Sequence, residues 1–145
     1  MARSLIADAP QHGPKIETGG RRIGNKGYFF EPTILTAPSL ASRVMNEEPF
    51  GPLALVTSFG DFDQVVWEAN RLPYALAAFA FTNSTKTAPA IANAIESGMV
   101  TINHNGLALP ETPFGGVKES GYGPEGDAEG MEAYLNTKFI SQAGA

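Results

Sequence analysis

The sequence predicts an α/β fold built on a parallel βαβαβ sheet, and three observations support this prediction. Apolar runs typical of buried strands occur at 53–59, 77–82 and 99–103. Amphipathic stretches typical of helices separate them at 61–72 and 84–98. The chain has 145 residues, the length of one domain with a core of its own. Because strands and helices alternate, we expect the three strands to lie parallel in one sheet covered by the helices.

The first third of the chain lacks the alternation of strands and helices that the rest shows. Residues 3–12 resemble the end of a helix that a proline and a Gly-Pro pair interrupt. KIETGG (15–20) and YFFEPTIL (28–35) predict a hairpin-like excursion around a glycine-rich turn. SLASRVMNEE (39–48) predicts one or two helical turns before a proline stops them. These elements lead into the alternating region.

The two predicted helices of the alternating region carry their own start and stop signals. Asp61 or Asp63 can cap the first helix, which then places apolar residues at spacings that suit one buried face. A Ser or Thr begins the second helix and Gly98 ends it. At the end of the chain, EAYLNTKFIS predicts a helix end that continues into a last strand, Leu135 to Ser141.

Composition excludes several classes of function. Ten basic and fifteen acidic residues give a net charge of −5 with no basic cluster, so nucleic acid and anionic membrane are poor partners. No apolar run approaches the length of a membrane span and the N-terminus lacks a signal peptide, which leaves a cytoplasmic location as the default. The absence of cysteine excludes disulfides, thiolate metal sites and a cysteine nucleophile within these residues. We predict no metal site.

A formal match to the dinucleotide fingerprint G-x-G-x-x-G occurs at Gly121, Gly123 and Gly126. That fingerprint has meaning when it follows a strand, opens a helix and lies inside a βαβ unit. Here it follows the turn-rich FGGVKES, contains a proline, and precedes only 19 residues. We therefore interpret it as a turn that caps a short acidic helix at 124–134.

Two places in the sequence are candidates for a ligand contact. Glu47 and Glu48 point to opposite sides of an extended chain and are read most simply as solvated charges at a helix end. The context EPFGP is nevertheless stiff, because prolines flank Phe50, and stiffness suits a ligand contact. His104, just past a strand, is well placed for a site, although a polar loop histidine without a function is the simpler interpretation. We assign no role to His12.

Four stretches in order resemble the C-terminal third of the aldehyde dehydrogenase superfamily. They cover 18–35, 46–59, 70–76 leading into AFAFT, and 98–139, and so nearly the whole chain. EEPFGP and PFGG-x-K-x-SG are the most specific of the matching motifs. The loop NHNGLALPETPFGG is most similar to members of the succinate-semialdehyde dehydrogenase type. The resemblance implies that 1–134 belong to the catalytic domain and that 135–145 form an oligomerisation strand and tail.

The resemblance also implies a reaction, the oxidation of an aldehyde to a carboxylic acid with NAD or NADP. In that family a cysteine thiolate attacks the aldehyde, hydride passes to nicotinamide, and a glutamate-activated water hydrolyses the thioester. The cysteine, the general-base glutamate and the cofactor domain precede the matched region in the family. We therefore expect the 145 residues alone to be inactive and to bind neither cofactor.

Site residues follow from the resemblance one by one. Glu48 matches the glutamate that holds the nicotinamide-ribose hydroxyls, and Phe50 matches the aromatic that packs beside the nicotinamide. Position 105 is often aromatic in similar members, so the preferred aldehyde stays open. The residues that match the substrate-tunnel loop are Asn103, His104, Asn105, Leu107, Ala108 and Leu109.

The resemblance further implies a homo-oligomer through Leu135 to Ser141. A second hypothesis belongs to a different class of function: the chain acts as a free-standing, non-enzymatic module that associates with other chains through this last strand. A cysteine-containing G-Q-x-C segment in frame before Met1 would favour the enzyme.

Overall fold

The chain divides into two units, residues 1–62 and 63–145. The computed structural model describes residues 2–8, 13 and 15–144, with only the backbone of Ala2 and Arg3. Residues 9–12 and 14, which include His12 and part of the helix end predicted at 3–12, lie outside the described residues.

A three-stranded sheet forms the centre of the first unit. Helix α1 (Ala2–Asp8) precedes β1 (Lys15–Thr18), β2 (Thr33–Thr36) and β3 (Leu53–Val56), and the sheet order is β1-β2-β3. β1 and β2 are antiparallel, as the predicted hairpin-like excursion requires, whereas β2 and β3 are parallel. The helical turns predicted at 39–48 are observed as a single 3-10 turn, Arg43–Met45.

The core of the first unit is small and apolar. Leu5, Leu35 and Val44 are almost completely buried and form one cluster, with Met45, Leu53 and Leu55 packed against it. In addition, an Oδ atom of Asp8 accepts a hydrogen bond from the backbone N–H of Arg43 at 3.0 Å. One helix, one strand and the 3-10 turn are thereby fixed to each other.

The second unit contains one βαβ crossover and one short antiparallel pair. Helix α2 (Phe62–Asn70), which begins at the boundary, is followed by β4 (Tyr74–Ala75), β5 (Ala77–Ala80), α3 (Thr87–Ala94) and β6 (Met99–Ile102). β5 and β6 are parallel over four residue pairs, and β4 pairs with β7 (Val117–Lys118) in antiparallel orientation. A short helix, α4 (Glu129–Glu132), comes last.

The chain is therefore a mixed α/β protein, but the prediction of one βαβαβ sheet is wrong in its strand pairing. β3 pairs with β2, from the excursion before it, and β5 pairs with β6. The strands at 53–59, 77–82 and 99–103 and the helices at 61–72 and 84–98 all exist, each shorter than predicted. Apolar runs indicate that a segment is a strand, whereas the choice of partner depends on contacts distant in sequence.

The last strand predicted, Leu135 to Ser141, does not form in the described chain. Residues 135–144 belong to neither helix nor strand, and the side chains of Leu135 and Phe139 are 70% and 89% exposed. A strand needs a neighbour that satisfies its N–H and C=O groups, and none of the described strands adopts this segment.

No helix in the part of the chain that the structure describes has the length and apolarity needed to cross a membrane.

Candidate functional site

Two neighbouring glutamates begin the segment EEPFGP (47–52) of the first unit, and their carboxylates differ in their partners. The carboxylate of Glu47 receives two hydrogen bonds from the Arg43 guanidinium, at 2.6 and 3.0 Å. These bonds, with the charge of Arg43, hold the pKa of Glu47 below its usual value. Glu47 is therefore engaged within its own unit.

Glu48 differs from its neighbour. Its side chain is exposed, and no ion pair or hydrogen bond to its carboxylate occurs within the described residues. The Glu48 carbonyl oxygen accepts a hydrogen bond from the N–H of Phe50 at 3.1 Å, which tightens the turn between them. The Phe50 side chain is 77% exposed. An acceptor-only carboxylate and an exposed aromatic ring thus lie two positions apart on a short, stiff segment.

The loop after β6 is anchored at its first residue. Asn103 has a φ of 62°, in the left-handed region that asparagine tolerates better than most residues. Its amide is bonded on both atoms to Thr82: Oδ1 accepts from the Thr82 N–H at 2.8 Å, and Nδ2 donates to the Thr82 carbonyl at 2.9 Å. Asn103, predicted to line the substrate tunnel, therefore holds the loop to the end of β5 in this structure.

A cavity of about 310 Å³ lies beside this loop within the second unit. Three of the six predicted tunnel residues line it, namely His104, Leu107 and Leu109. Asn103, Asn105 and Ala108 are not among its described lining residues, and they are exposed, as are His104 and Leu109. The remaining lining residues are Gly98, Met99, Val100, Thr101, Gly106, Thr112 and Pro113.

None of these seven was among the predicted tunnel residues, and two of them, Thr101 and Thr112, carry polar side chains. Thr101 is a buried residue of β6, where side chains alternate between buried and half-buried. The sequence MVTIN does not show that alternation, because apolar residues occupy both faces of the strand and threonine is the polar one. No sequence pattern distinguishes Thr112.

The glycine-rich segment is packed as a structural turn. The backbones of Phe114 and Glu125 pair across it, with both N–H groups donating to the opposite carbonyl. A Cβ on Gly98 or Gly116 would collide with the facing backbone. No helix begins within 121–126, since α4 starts at Glu129 and has only four residues. The segment is thus a tightly packed turn, and the acidic helix predicted at 124–134 is limited to Glu129–Glu132.

A second cavity, of about 430 Å³, is lined by this turn together with Lys118. The Lys118 ammonium is already engaged: it donates to the Glu96 carboxylate at 2.6 Å and to the Asn70 carbonyl at 3.2 Å. Asn70 in turn donates from its amide to the Ala94 carbonyl and accepts from the Glu96 N–H, which holds the end of α3. We attribute a structural role to this network. No cluster of three or more metal-ligating side chains occurs among the described residues.

This mixed α/β chain thus presents an exposed carboxylate and an exposed aromatic ring two positions apart, and a cavity lined by β6 and the loop after it. Residues 1–140 match the model of the aldehyde dehydrogenase family. The chain belongs to that family, whose members are NAD(P)-dependent oxidoreductases.

The chain is similar to relatives with different named substrates, a succinate-semialdehyde dehydrogenase among them. It is 46% identical over 139 residues to a probable succinate-semialdehyde dehydrogenase [NADP(+)] of Sinorhizobium fredii, covering 96% of this chain and 28% of the relative. It is 49% identical over 129 residues to the 4-(hydroxymethyl)benzenesulfonate dehydrogenase TsaD1 of Comamonas testosteroni, covering 86% and 27%. The chain thus spans little more than a quarter of these relatives' length.

A solved structure shares the fold. The NAD+ complex of an aldehyde dehydrogenase from Bacillus cereus superposes with a TM-score of 0.87 at 34% identity, covering 92% of this chain and 27% of that protein. The relatives therefore include proteins named for NADP+ and for NAD+.

Proposed function

We propose that this chain supplies the nicotinamide-ribose contact and part of the substrate pocket of an enzyme that oxidises an aldehyde to a carboxylic acid with NAD or NADP. The observation that carries the proposal is the difference between two adjacent carboxylates. Glu47 is paired with Arg43, whereas Glu48 has no partner among the described residues. A carboxylate left unpaired beside an exposed aromatic ring is available to a ligand.

The nicotinamide end of the cofactor fits these residues. A carboxylate accepts hydrogen bonds from a pair of hydroxyls, and the ribose offers two of them to Glu48. The Phe50 ring would pack beside the nicotinamide. The chemistry that bound NAD(P) supplies is acceptance of a hydride from the substrate. Glu48 and Phe50 contribute orientation, because hydride transfer requires the reacting atoms to be held in line.

The substrate class is suggested by two relatives together with the cavity. Succinate semialdehyde carries a carboxylate and 4-(hydroxymethyl)benzenesulfonate carries a sulfonate, so the names of both relatives contain an anionic acid group. The cavity behind the loop is mostly apolar with a few polar side chains, as pockets for small organic substrates are. We infer that this chain takes part in oxidising an aldehyde that also bears an acid group.

The chemical step requires groups outside these 145 residues. The chain contains no cysteine, so the thiolate that attacks the aldehyde in this family has to come from elsewhere, as do the general base and the cofactor domain. The strands that would complete a parallel sheet around β5 and β6 are expected in the same additional part.

A chimera tests the proposal. The 139 matched residues of this chain replace their counterparts in the Sinorhizobium fredii relative, and reduction of NAD+ and NADP+ is followed with a panel of aldehydes. We expect turnover from the chimera and none from the 145-residue chain alone. A folded chimera that oxidises no aldehyde, or turnover by the chain alone, would contradict the proposal.

The role of Glu48 has a matched control in the adjacent residue. In the chimera, Glu48→Gln is expected to slow hydride transfer by about 10-fold or more, since it removes a charge-assisted hydrogen bond that orients the cofactor. Glu47→Gln, which removes the same charge one residue earlier, should leave that step unchanged. Stopped-flow measurement of the hydride-transfer step distinguishes the two. Equal rates in both variants would remove the role given to Glu48.

A further inference from the structure

The cavity beside the loop 103–110 contains few polar side chains, and their hydrogen bonds can be counted. Of its ten described lining residues, Thr101, His104 and Thr112 carry polar side chains, and none is a lysine or an arginine. Recognition of a polar substrate group by a side chain of this cavity therefore depends on which of the three has a hydrogen-bond donor to spare.

The hydroxyl groups of both threonines already donate hydrogen bonds to backbone carbonyls. The Thr101 hydroxyl donates to the His104 carbonyl at 2.7 Å. The Thr112 hydroxyl points to the carbonyls of Leu109, at 3.2 Å, and Leu107, at 3.5 Å. A hydroxyl has one proton, so each threonine offers a ligand only an acceptor while these bonds persist.

The imidazole of His104 has an N–H group that donates to no described residue. Its Nδ1 atom accepts a hydrogen bond from the backbone N–H of Gly106 at 3.2 Å. In a neutral imidazole one nitrogen accepts and the other carries the proton, so this bond fixes the proton on Nε2. No acceptor for Nε2 occurs within the described residues. Among the described side chains that line the cavity, His104 alone has an uncommitted N–H or O–H group.

The surrounding backbone keeps His104 in place. The preceding residue, Asn103, is held by two hydrogen bonds to Thr82, and the hydroxyl of Thr101 binds the His104 carbonyl. The imidazole is thus fixed through its main chain on both sides and through its own Nδ1. A donor that is held before the ligand arrives loses little conformational entropy on binding.

We propose that His104 determines the preference for acid-bearing aldehydes by donating its Nε2–H to the anionic group at the end of the substrate remote from the aldehyde. This inference rests on the proposed function. The proposed function assigns this cavity to the substrate pocket, and the attacking group comes from outside the chain, so we assign the cavity to the end of the substrate remote from the aldehyde. A neutral donor recognises a carboxylate through a hydrogen bond, whereas an uncharged alkyl end makes no such bond with the exposed His104 side chain.

Kinetics of the chimera test the inference with two aldehydes of similar size, succinate semialdehyde and butanal. We expect His104→Leu to lower kcat/KM for succinate semialdehyde by about 10- to 100-fold, the value of a lost hydrogen bond to a charged group, and to change that for butanal by less than about threefold. The loss should fall on KM, since binding at the remote end is equally strong in the ground and transition states. His104→Gln, which keeps an N–H near the position of Nε2, should restore part of the preference.

The other histidine of the chain provides the control. His12→Leu, at a position without an assigned role, should leave the discrimination unchanged. An active chimera whose His104→Leu variant loses activity equally toward both aldehydes overturns the role of His104 alone. A chimera inactive toward every aldehyde overturns the proposed function, and this inference with it.

The tautomer is tested on the 145-residue chain itself. Long-range proton–nitrogen correlation spectra of neutral histidine distinguish a proton on Nε2 from one on Nδ1, and the spectrum of the His12→Leu variant assigns the signals. We expect His104 to carry its proton on Nε2. A proton on Nδ1 would overturn the inference, because that atom could no longer accept from Gly106.

Discussion

The first unit is stabilised by a buried apolar cluster, whereas the second depends on polar side chains bonded to the backbone. Leu5, Leu35 and Val44 meet in the first unit. In the second, only Ala75 and Met99 are buried apolar residues among those described, and neither α2 nor α3 buries a residue. We therefore expect the first unit to lose most stability when a buried apolar side chain is shortened, and the second when a polar side chain is removed.

Polar side chains connect the elements of the second unit. The Asn70 amide holds the end of α3, the Asn103 amide holds β6 to the end of β5, and the Ser120 hydroxyl accepts from the Ala75 N–H. The parallel pair β5–β6 meanwhile leaves large side chains such as Phe79 about half exposed. Parallel strands are ordinarily covered on both faces. We therefore expect the second unit to be covered by further protein in the active enzyme.

The largest expected effect is in the apolar cluster. Leu35→Ala should lower the free energy of unfolding by about 2–5 kcal/mol, because it removes buried methyl groups and leaves a cavity in the apolar cluster of the first unit. Ile34→Ala, at the neighbouring and partly exposed position of β2, should cost about 1 kcal/mol or less. Urea denaturation followed by circular dichroism measures both. Equal losses would mean that burial does not distinguish the two positions.

In the second unit, Asn103→Ala should cost about 2–3 kcal/mol. It removes two hydrogen bonds to Thr82, and it places a residue with a Cβ but no compensating side-chain bond at a positive φ. Asn103→Gly loses the same bonds without the backbone penalty, so it should be less destabilising by about 1 kcal/mol.

Hydrogen exchange provides the local measurement for these variants. The Thr82 amide proton, which Asn103 accepts, should lose protection in both variants. Retained protection in Asn103→Ala would show that the amide bonds do not hold the loop, and that the second unit is less dependent on polar contacts than we propose.

The exposed tail of the second unit is expected to cause self-association. Leu135, Phe139 and Ile140 are exposed, and Lys138 is the one charge in Leu135–Ser141 that opposes pairing with another copy. Light scattering should give a dimer or larger species for the intact chain and a smaller one for a chain ending at Ala133. Monomers in both preparations would rule out association through this segment.

The smallest effect concerns the ion pair of the first unit. The pKa of Glu47 is lowered, first by its hydrogen bonds to Arg43, so the pair stabilises the fold above the pKa of the unfolded carboxyl and loses this contribution as pH falls through the folded pKa. An NMR titration of the Glu47 carboxyl should show the lowered midpoint, and Arg43→Gln should return it toward the ordinary value. A midpoint unaffected by Arg43→Gln would exclude the pair as its cause.

The sequence was sufficient for the βαβ crossover of the second unit and for the family. Local patterns predicted β5, α3 and β6: apolar runs at 77–82 and 99–103, and helix start and stop signals at 84–98. They did so because local spacing determines which segments can bury one face. The motifs EEPFGP and PFGG-x-K-x-SG indicated the aldehyde dehydrogenase family that the comparison over 1–140 establishes.

Only the tertiary structure decided which groups meet. β3 pairs with β2 although the alternating pattern joined it to β5, and Glu47 is paired while its neighbour Glu48 is not. Likewise the Asn103 amide binds Thr82, 21 residues earlier. The neighbouring His104 accepts a hydrogen bond on Nδ1, and its other ring nitrogen has no partner among the described residues. The physical reason is that the tendency to form a strand or helix depends on neighbours in sequence. The partner of a strand, a carboxylate or an amide depends on groups that only folding brings within hydrogen-bond distance.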